Sequence, residues 1–277
     1  MLVLRSIAAS VLVAFCIATG SAQAFDETKY PDFKGQWSRV GAPRWLKKGE
    51  TPPLTPEYQA RYRAILADQA AGGPGNWPSA FCMPQGMPAM MNLFDPMEVV
   101  VTPDTTYILI SHINDSYRRI YTDGRDWPNP GEVEPTYAGY SIGRWVDENG
   151  DGRYDVLEVE TRYLKGPRAF ESTGLPLHDD NQTVIKERIY LDRSDPNVLW
   201  NDITVFDNAL TMPWTLHKKA VRNRNPRPVW PSDVCQENNS LVRIGTETYV
   251  LGADGLLMPS KPNQLPPDLR HFNLPRK

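Results

Sequence analysis

The sequence has no excess of positive charge, few histidines and no long apolar run beyond its N-terminal region. Its 277 residues include 30 Lys and Arg against 33 Asp and Glu, so we expect neither nucleic acid nor an anionic membrane as its main partner. No later segment is long and apolar enough to span a bilayer, and we expect no membrane span. No pair among His112, His178 and His217 has the spacing of metal ligands, and no organic cofactor motif is evident.

The first 24 residues are typical of a secretory signal peptide. Arg5 supplies the positive charge, residues 7–18 form a short apolar stretch, and Ala22-Gln23-Ala24 is an A-x-A cleavage site. Cleavage after Ala24 would leave 29 basic and 33 acidic residues, a formal charge of −4. The pattern predicts a periplasmic or secreted protein, and it leaves the oligomeric state open.

Cysteine is scarce, with three residues in the whole chain. Cys16 lies in the predicted signal peptide, so the exported chain would keep Cys82 and Cys235. In an oxidising compartment, two such cysteines predict one disulfide that closes a long loop. The chain-entropy model assigns it roughly 4–5 kcal/mol of stability. The alternative is a pair of buried free thiols.

The most specific motif is residues 147–158, which match the calcium-loop pattern D-x-[DN]-x-[DN]-G-x5-E at every defined position. Calcium binds six to eight oxygen ligands, and this spacing can supply them. The loop resembles those of EF-hand and dockerin-type proteins. The predicted ligands are Asp147, Asn149, Asp151, the carbonyl of Arg153, Asp155 and Glu158.

The flanks of this loop differ from those of an EF-hand. Residues 140–146 and 156–163 are rich in β-branched and aromatic residues, which favours strands over helices. A calcium sensor works by changing the angle between two helices, so the pattern predicts a structural calcium ion instead. The alternative is an acidic Asn-Gly/Asp-Gly hairpin turn that binds no metal.

The remaining pattern predicts a mostly β fold, an antiparallel barrel or sandwich, with one N-terminal helix. The helix would begin at Pro56 with Thr55 as its N-cap and end at Gly72-Gly73. We expect one β-rich domain over residues 25–258 and a Pro-rich tail over 259–277. Further strands are predicted at 97–102, 106–111, 117–121, 184–191, 199–206 and 241–251.

Two other segments bear on the fold. The sequence of residues 33–37, Phe-Lys-Gly-Gln-Trp, resembles the G-x-W of the first lipocalin strand, which would make the barrel calycin-like. The alternative is a Trp that plugs one end of a β-core. The basic residues between 218 and 227 are interpreted as a solvated surface segment.

Four motifs resemble, in order, those of a large group of secreted bacterial proteins of uncharacterised function, over residues 30–240. They are Cys82-x-Pro84-x-Gly86-x-Pro88, Arg118-Arg119-Ile120-Tyr121-x-Asp123-Gly124-Arg125, Gly139-x-Ser141-x-Gly143-x-Trp145 and Thr211-x-Pro213-Trp214. In that group a short Gly-Asp turn follows the Trp, so the calcium-type loop indicates an elaborated hairpin. The resemblance implies no activity.

The second motif provides the candidate ligand site. In a strand, Tyr117, Arg119 and Tyr121 share one face, while Arg118 and Ile120 share the other. We predict that the first three line a β-enclosed pocket, where Arg119 would hold a carboxylate, enolate or phenolate through forked hydrogen bonds. The alternative is an Arg–Asp bridge at the following turn, with exposed arginines on an edge strand.

Candidate catalytic residues are few. Arg119 could stabilise an oxyanion, and His178, His112 or an inward-facing Glu187 could move a proton. The G-x-S-x-G at residues 139–143 lacks the following helix that a hydrolase nucleophile requires, so a serine hydrolase is not expected.

Three functions remain open at this stage. The first is an exported, calcium-stabilised protein that binds a small, largely apolar or aromatic molecule in an enclosed pocket. The second is a metal-independent lyase, isomerase or hydratase that uses the same pocket. The third is a secreted interaction module, whose sign would be an exposed apolar patch without an enclosed cavity.

Overall fold

The computed structural model describes residues 25–270, apart from positions 43, 47–48, 93–95, 113, 167–168, 172, 233 and 236–238. The predicted signal peptide and its cleavage site after Ala24 lie outside the described residues. So do positions 271–277 of the predicted tail. Within the described part of the chain, no helix combines the length and the apolar character needed to cross a membrane.

The predicted helix is confirmed as α1, Pro56–Ala70. The side chain of Thr55 accepts a hydrogen bond from the backbone N–H of Tyr58, which satisfies one of the free donors at the helix N-terminus. Tyr58 and Tyr62 are buried one turn apart, and they hold the helix against the rest of the fold. Short 3-10 helices occur at Glu27–Lys29, Pro78–Phe81 and Ala89–Asn92.

The described residues form twelve strands. They are β1 Gln36–Arg39, β2 Met97–Val101, β3 Thr105–His112, β4 Asn114–Tyr121, β5 Tyr140–Val146, β6 Val156–Arg162, β7 Val184–Leu191, β8 Val198–Phe206, β9 Trp214–Arg222, β10 Leu241–Ile244, β11 Glu247–Leu251 and β12 Leu257–Pro259.

Strands β1 to β9 form a closed barrel in sequence order, which confirms the predicted mostly β fold and selects a barrel over a sandwich. Strand β9 closes the barrel by pairing with β1, for example Ser38 with Val221. Neighbouring strands are antiparallel except β4 and β5, which pair in parallel. Closure leaves the nine-stranded sheet without a free edge between its first and last strands.

One predicted strand differs from the structure. The single strand expected over 241–251 is a hairpin of β10 and β11, because Gly245 takes a left-handed conformation with φ +61° and reverses the chain. These two strands and β12 form a separate three-stranded sheet. Strand β12 includes position 258, where the predicted domain ends.

The basic segment interpreted as a solvated surface belongs to β9 as far as Arg222, whereas Arg224 and Arg227 follow the strand and are exposed. Leu216 and Ala220 are buried, and Lys218 between them lies on the same face of the strand. Histidine, lysine and arginine together outnumber apolar residues over positions 216–222, so composition concealed the strand. The barrel closes through this segment.

The interior of the barrel is filled by side chains. Gly143 illustrates how tight the packing is, because a Cβ atom added there would lie 2.7 Å from the Cγ2 of Ile120. The largest inward-facing apolar residues are Trp37, Ile108, Ile110, Ile120, Leu157, Ile185, Ile189 and Ile203. A barrel of this size is normally filled in this way.

The predicted disulfide between Cys82 and Cys235 is present. It joins two residues 153 positions apart in the sequence. Cys82 directly follows the 3-10 helix Pro78–Phe81, so the bond holds the start of the Cys-x-Pro-x-Gly-x-Pro segment against the chain that follows the barrel.

Candidate functional site

The barrel has a seam between β4 and β5. The two strands pair only at Ile120 with Ser141 and Tyr121 with Ile142, so most of β4 is paired on its β3 side alone. The Cys-x-Pro-x-Gly-x-Pro segment covers this seam, where the N–H of Met87 donates to the carbonyl of Tyr137 at 2.9 Å.

Gly86 is required for this close approach. Its φ is +66°, and a Cβ atom there would lie 2.6 Å from the carbonyl oxygen of Tyr137. A side chain at this position would push the two segments apart, so the glycine allows the seam to be covered.

A cleft of about 420 Å³ lies at this seam, on the outside of the barrel. Tyrosine and methionine side chains contribute much of its wall, together with one arginine and one histidine. The lining residues are Met83, Pro84, Gln85, Gly86, Met90, His112, Ser116, Tyr117, Arg119, Tyr121, Thr136, Tyr137, Ala138, Gly139 and Tyr140.

Three of the four sequence motifs meet in this cleft. The first contributes residues 83–86, the second contributes Arg119 and Tyr121, and the third contributes Gly139 and Tyr140. These segments are far apart in the sequence, and the fold brings them together because β4 and β5 are neighbours. Thr136 to Ala138, just before the third motif, complete the wall; no sequence pattern singled them out.

The predicted pocket residues are together, but they face the opposite way from the prediction. Tyr117, Arg119 and Tyr121 lie on the outer face of β4, and Tyr117 is 59% exposed. Arg118 and Ile120 point into the barrel and are 1% and 0% exposed. The sequence predicted an enclosed pocket inside the barrel. These residues instead line an open cleft on the outer surface of the barrel.

Arg119 is positioned to contact a ligand in the cleft. Its guanidinium carbon lies 5.6 Å from the centre of the Tyr117 ring and 5.9 Å from that of Tyr107. Within the described part of the chain, no carboxylate forms a salt bridge with it. A cation over aromatic faces, without a protein anion, can pair with an anionic group of a ligand.

The alternative prediction, an Arg–Asp bridge at the turn, is realised beside the cleft by another arginine. Arg125 binds Asp123 at 2.6 Å and donates to the Tyr140 hydroxyl at 3.2 Å. Its guanidinium also lies 3.8 Å from the centre of the Tyr121 ring. The hydrogen bonds from Arg125 hold the pKa of Asp123 below its usual value. This bridge fixes the rim and orients two of the tyrosines.

The structure separates the four catalytic candidates. His112 lines the cleft with Arg119. His178 lies elsewhere, stacked against Tyr58 with 5.0 Å between ring centres, and its Nδ1 accepts a hydrogen bond from the N–H of Asp180 at 3.1 Å. Glu187 points into the barrel.

Glu187 belongs to a buried polar network that sequence reasoning missed. The Nη2 of Arg118 lies 2.5 Å from the Oε2 of Glu187. The same nitrogen donates to the Thr161 hydroxyl at 2.7 Å. The Nδ2 of Asn201 donates to the other carboxylate oxygen at 2.9 Å. The Nε of Arg118 donates to the hydroxyl of Ser141 at 3.2 Å, so the serine of the G-x-S-x-G motif is a buried structural group. The sequence suggested that Glu187 could face inward, but it did not identify Arg118 as the partner of Glu187.

The calcium-type loop has a well-defined geometry. Asp147 accepts hydrogen bonds from the N–H groups of Gly150 at 2.7 Å and Gly152 at 2.9 Å, and Gly152 has φ +85°. Glu158 is held by Arg144 at 2.6 Å, with Arg188 3.7 Å from its other oxygen. Among the described residues, no group of three His, Cys, Asp or Glu is arranged as a metal site.

Comparison with known proteins adds little. The sequence matches no family model and no curated protein. A solved structure titled "Human cRBP IV" aligns with a TM-score of 0.30 and 10% identity, over 69% of this chain and 98% of that chain. This likeness is too weak to support an argument, so the barrel is assigned from strand pairing alone. The resemblance to the secreted bacterial group stays a prediction.

Proposed function

We propose that this protein is exported and binds a small, largely apolar or aromatic molecule with an anionic group in the cleft beside β4. The observation that carries the proposal is the convergence of three sequence motifs on one cleft that contains Arg119. The apolar part of the ligand would lie against the tyrosines and methionines. Its anionic group would pair with the guanidinium.

The shape of the cleft favours a small molecule over a protein partner. Its volume of about 420 Å³ lies within the range of small-molecule sites, which are concave and lined mainly by apolar and aromatic groups with a few polar ones. Met83 and Met90 are flexible and polarisable, so they suit an aromatic ligand. A charged hydrogen bond to Arg119 would fix its orientation.

The first experiment is a binding titration with 2-naphthoate, an aromatic carboxylate, followed by its fluorescence. We expect saturable binding, and we expect Arg119→Ala to raise the Kd by at least about tenfold, since a charged hydrogen bond contributes roughly 1.5–3 kcal/mol. Arg224→Ala, an exposed arginine outside the cleft, is the matched control and should bind like the wild type.

Two results would contradict the proposal. One is the absence of saturable binding for 2-naphthoate and for a panel of larger aromatic carboxylates. The other is an Arg119→Ala variant that binds them as tightly as the wild type does.

Turnover of the bound molecule is the second candidate function, and the position of His112 favours it. His112 is a titratable side chain on the same wall as Arg119, as a lyase, isomerase or hydratase would require. If the protein is an enzyme of this kind, His112→Gln should abolish turnover and leave the Kd of the substrate within about threefold. Equal loss of binding and turnover would count against this role.

We also propose that the loop at 147–158 binds a structural calcium ion. Its donors are carboxylate, amide and carbonyl oxygens, which are the ligands calcium prefers, and Gly152 has the required turn conformation. On calcium binding, the carboxylate of Glu158 would leave its salt bridge with Arg144 and coordinate the ion. The loop contacts the N-terminal segment, because the N–H of Tyr154 donates to the carbonyl of Lys29 at 2.7 Å.

Bound calcium would therefore stabilise the attachment of residues 25–35 to the barrel. We expect a lower Tm in EGTA than in calcium, and no such difference for Asp147→Ala with Glu158→Ala. Identical melting of the wild type in both buffers would overturn this proposal.

A further inference from the structure

A second, much smaller cavity lies inside the barrel, apart from the cleft. Its volume is about 30 Å³, enough for a few heavy atoms. Apolar side chains of Trp37, Met97 and Ile110 form part of its wall, and Lys218, Arg39 and Asn201 bring polar groups to it.

These three polar residues occupy adjacent strands. Lys218 of β9 is paired directly with Asn201 of β8. Arg39 of β1 is paired with Ala220, two residues along β9 from Lys218, which places Arg39 diagonally across from the lysine. Long side chains reach each other at such diagonal positions. An amine, a guanidinium and an amide thus share one small interior space.

Two contacts define what the cavity offers. The Nδ2 of Asn201 is bound to Glu187, whereas its Oδ1 accepts no hydrogen bond from the described residues, although the residue is only 3% exposed. The Nζ of Lys218 donates to the carbonyl of Arg44 at 2.9 Å. A buried acceptor without a donor is costly, so a new N–H group beside Asn201 would be stabilised.

The surroundings of Lys218, and burial above all, favour its neutral form. Burial, and after it the like charge of Arg39, lowers the pKa of Lys218 to about 8, while Glu171 acts weakly in the opposite direction. Lys219 lies on the other face of β9, with its Nζ 5.6 Å from the centre of the Trp200 ring. At mildly alkaline pH, Lys218 is therefore a neutral and nucleophilic amine.

We propose that Lys218 is a carbamylation site, at which the amine adds carbon dioxide and the carbamate pairs with Arg39. The lone pair of Nζ forms a bond to the carbon of CO₂, one C=O π pair moves to oxygen, and the nitrogen releases one proton to solvent. No oxidant or reductant is needed. The product is a Lys218 carbamate with one N–H and two oxygens that share one negative charge.

The cavity matches this product in size and in hydrogen bonding. A space of about 30 Å³ is large enough to admit a three-atom reagent such as carbon dioxide. The carbamate N–H can donate to the Oδ1 of Asn201, which otherwise lacks a donor. The carbamate oxygens have the geometry of a carboxylate, to which a guanidinium such as that of Arg39 donates charged hydrogen bonds.

The test is ¹³C NMR of the signal-free chain equilibrated with ¹³C-bicarbonate and carbon dioxide. We expect a carbamate resonance that grows as the pH rises through about 8, where Lys218 loses its proton. It should vanish in Lys218→Arg and remain in Lys186→Arg, a control on the outer face of β7. Arg39→Met keeps the amine but removes its cationic partner, and should lower the occupancy at least about fivefold at fixed carbon dioxide.

The α-amino group also reacts with carbon dioxide, and its resonance is identified because it persists in every variant. Folding of each variant is checked by near-UV circular dichroism. Lys218→Met provides a second loss-of-amine variant if Lys218→Arg does not fold. A wild type that shows only the α-amino resonance would overturn the proposal, as would a spectrum unchanged in the folded variants lacking the lysine.

Discussion

Two neighbouring arginines of β4 occupy opposite environments. Arg118 is 1% exposed inside the barrel and bound to Glu187, Thr161 and Ser141. Arg119 is exposed on the outer face, over tyrosine rings and without a salt bridge among the described residues. The two arginines are consecutive residues of one strand, so their side chains point to opposite faces. One guanidinium is structural, and the other is accessible to a ligand.

The difference shows how a β-strand divides its roles. An interior charge must be paired with an opposite charge, as Arg118 is with Glu187, because an unpaired buried charge costs several kcal/mol. An outer charge is solvated and can exchange water for a ligand at little cost. The charge of Arg118 is therefore committed to stability, whereas the charge of Arg119 on the outer wall stays exposed.

The largest expected effect on stability comes from removing the interior arginine, Arg118. Arg118→Met should destabilise the protein by about 3–5 kcal/mol, because it leaves the Glu187 carboxylate buried without a cation. The measurement is urea denaturation. Arg118→Met combined with Glu187→Met should recover much of that loss, since two apolar residues leave no unpaired charge. A single variant that costs less than about 1 kcal/mol would contradict the assigned role.

The next effect concerns the covalent support of the cleft. Replacing Cys82 and Cys235 by serine should lower the free energy of unfolding by about 2–4 kcal/mol, because the unfolded chain loses a long-range crosslink. Cys82 adjoins the cleft wall at Met83, so 2-naphthoate should also bind more weakly. Urea denaturation and the binding titration measure the two effects. If the double serine variant is destabilised but binds 2-naphthoate with normal affinity, contacts other than the disulfide hold the cleft wall in place.

A smaller effect is expected from Lys218, a half-buried cation at the interior cavity. Its folded pKa of about 8 lies below the ordinary lysine pKa of 10.5, so the unfolded chain binds more protons between these two pH values. This group therefore opposes folding below pH 8, and stability rises as the pH increases from 8 towards 10.5.

Lys218→Met removes that pH dependence. In buffers free of carbon dioxide, the variant should gain stability relative to the wild type at pH 7, on the order of 1 kcal/mol after allowing for solvent screening. The gain should shrink as the pH approaches 10, as measured by urea denaturation at each pH. A difference between the two proteins that is independent of pH would contradict a buried, perturbed lysine.

The smallest effect on stability is expected on the outer side of β4. Arg119→Met should change the free energy of unfolding by no more than about 0.5 kcal/mol, because the side chain is exposed and forms no ion pair within the described structure. Comparison of this variant with Arg118→Met gives separate values for the contributions of the two faces of β4 to stability. A loss comparable to that of Arg118→Met would show that Arg119 is structural, and would weaken the proposed binding role.

Local patterns in the sequence predicted many of the elements. The capping signal at Thr55-Pro56 located α1, and alternating apolar residues located Val184–Leu191 with its observed limits. Redox compartment and cysteine count predicted the disulfide. Each of these depends on neighbouring residues or on composition, which the sequence displays directly.

The candidate site was predictable only in part. Period-two alternation grouped Tyr117, Arg119 and Tyr121 on one face, and this grouping is correct. It did not indicate which face is buried, because both faces carry an arginine and both carry apolar surface. That choice depends on Glu187, which neutralises Arg118, and on Thr161, which accepts a hydrogen bond from it.

The sequence by itself determined a mostly β fold, the N-terminal helix and the disulfide, because these follow from short-range pattern and residue chemistry. Only the tertiary structure decided that the barrel closes through β9, that its interior is filled, and that the cleft lies outside at the β4–β5 seam. The physical reason is that burial is a property of the whole assembly. A charged side chain can be placed inside only when distant residues supply its partners.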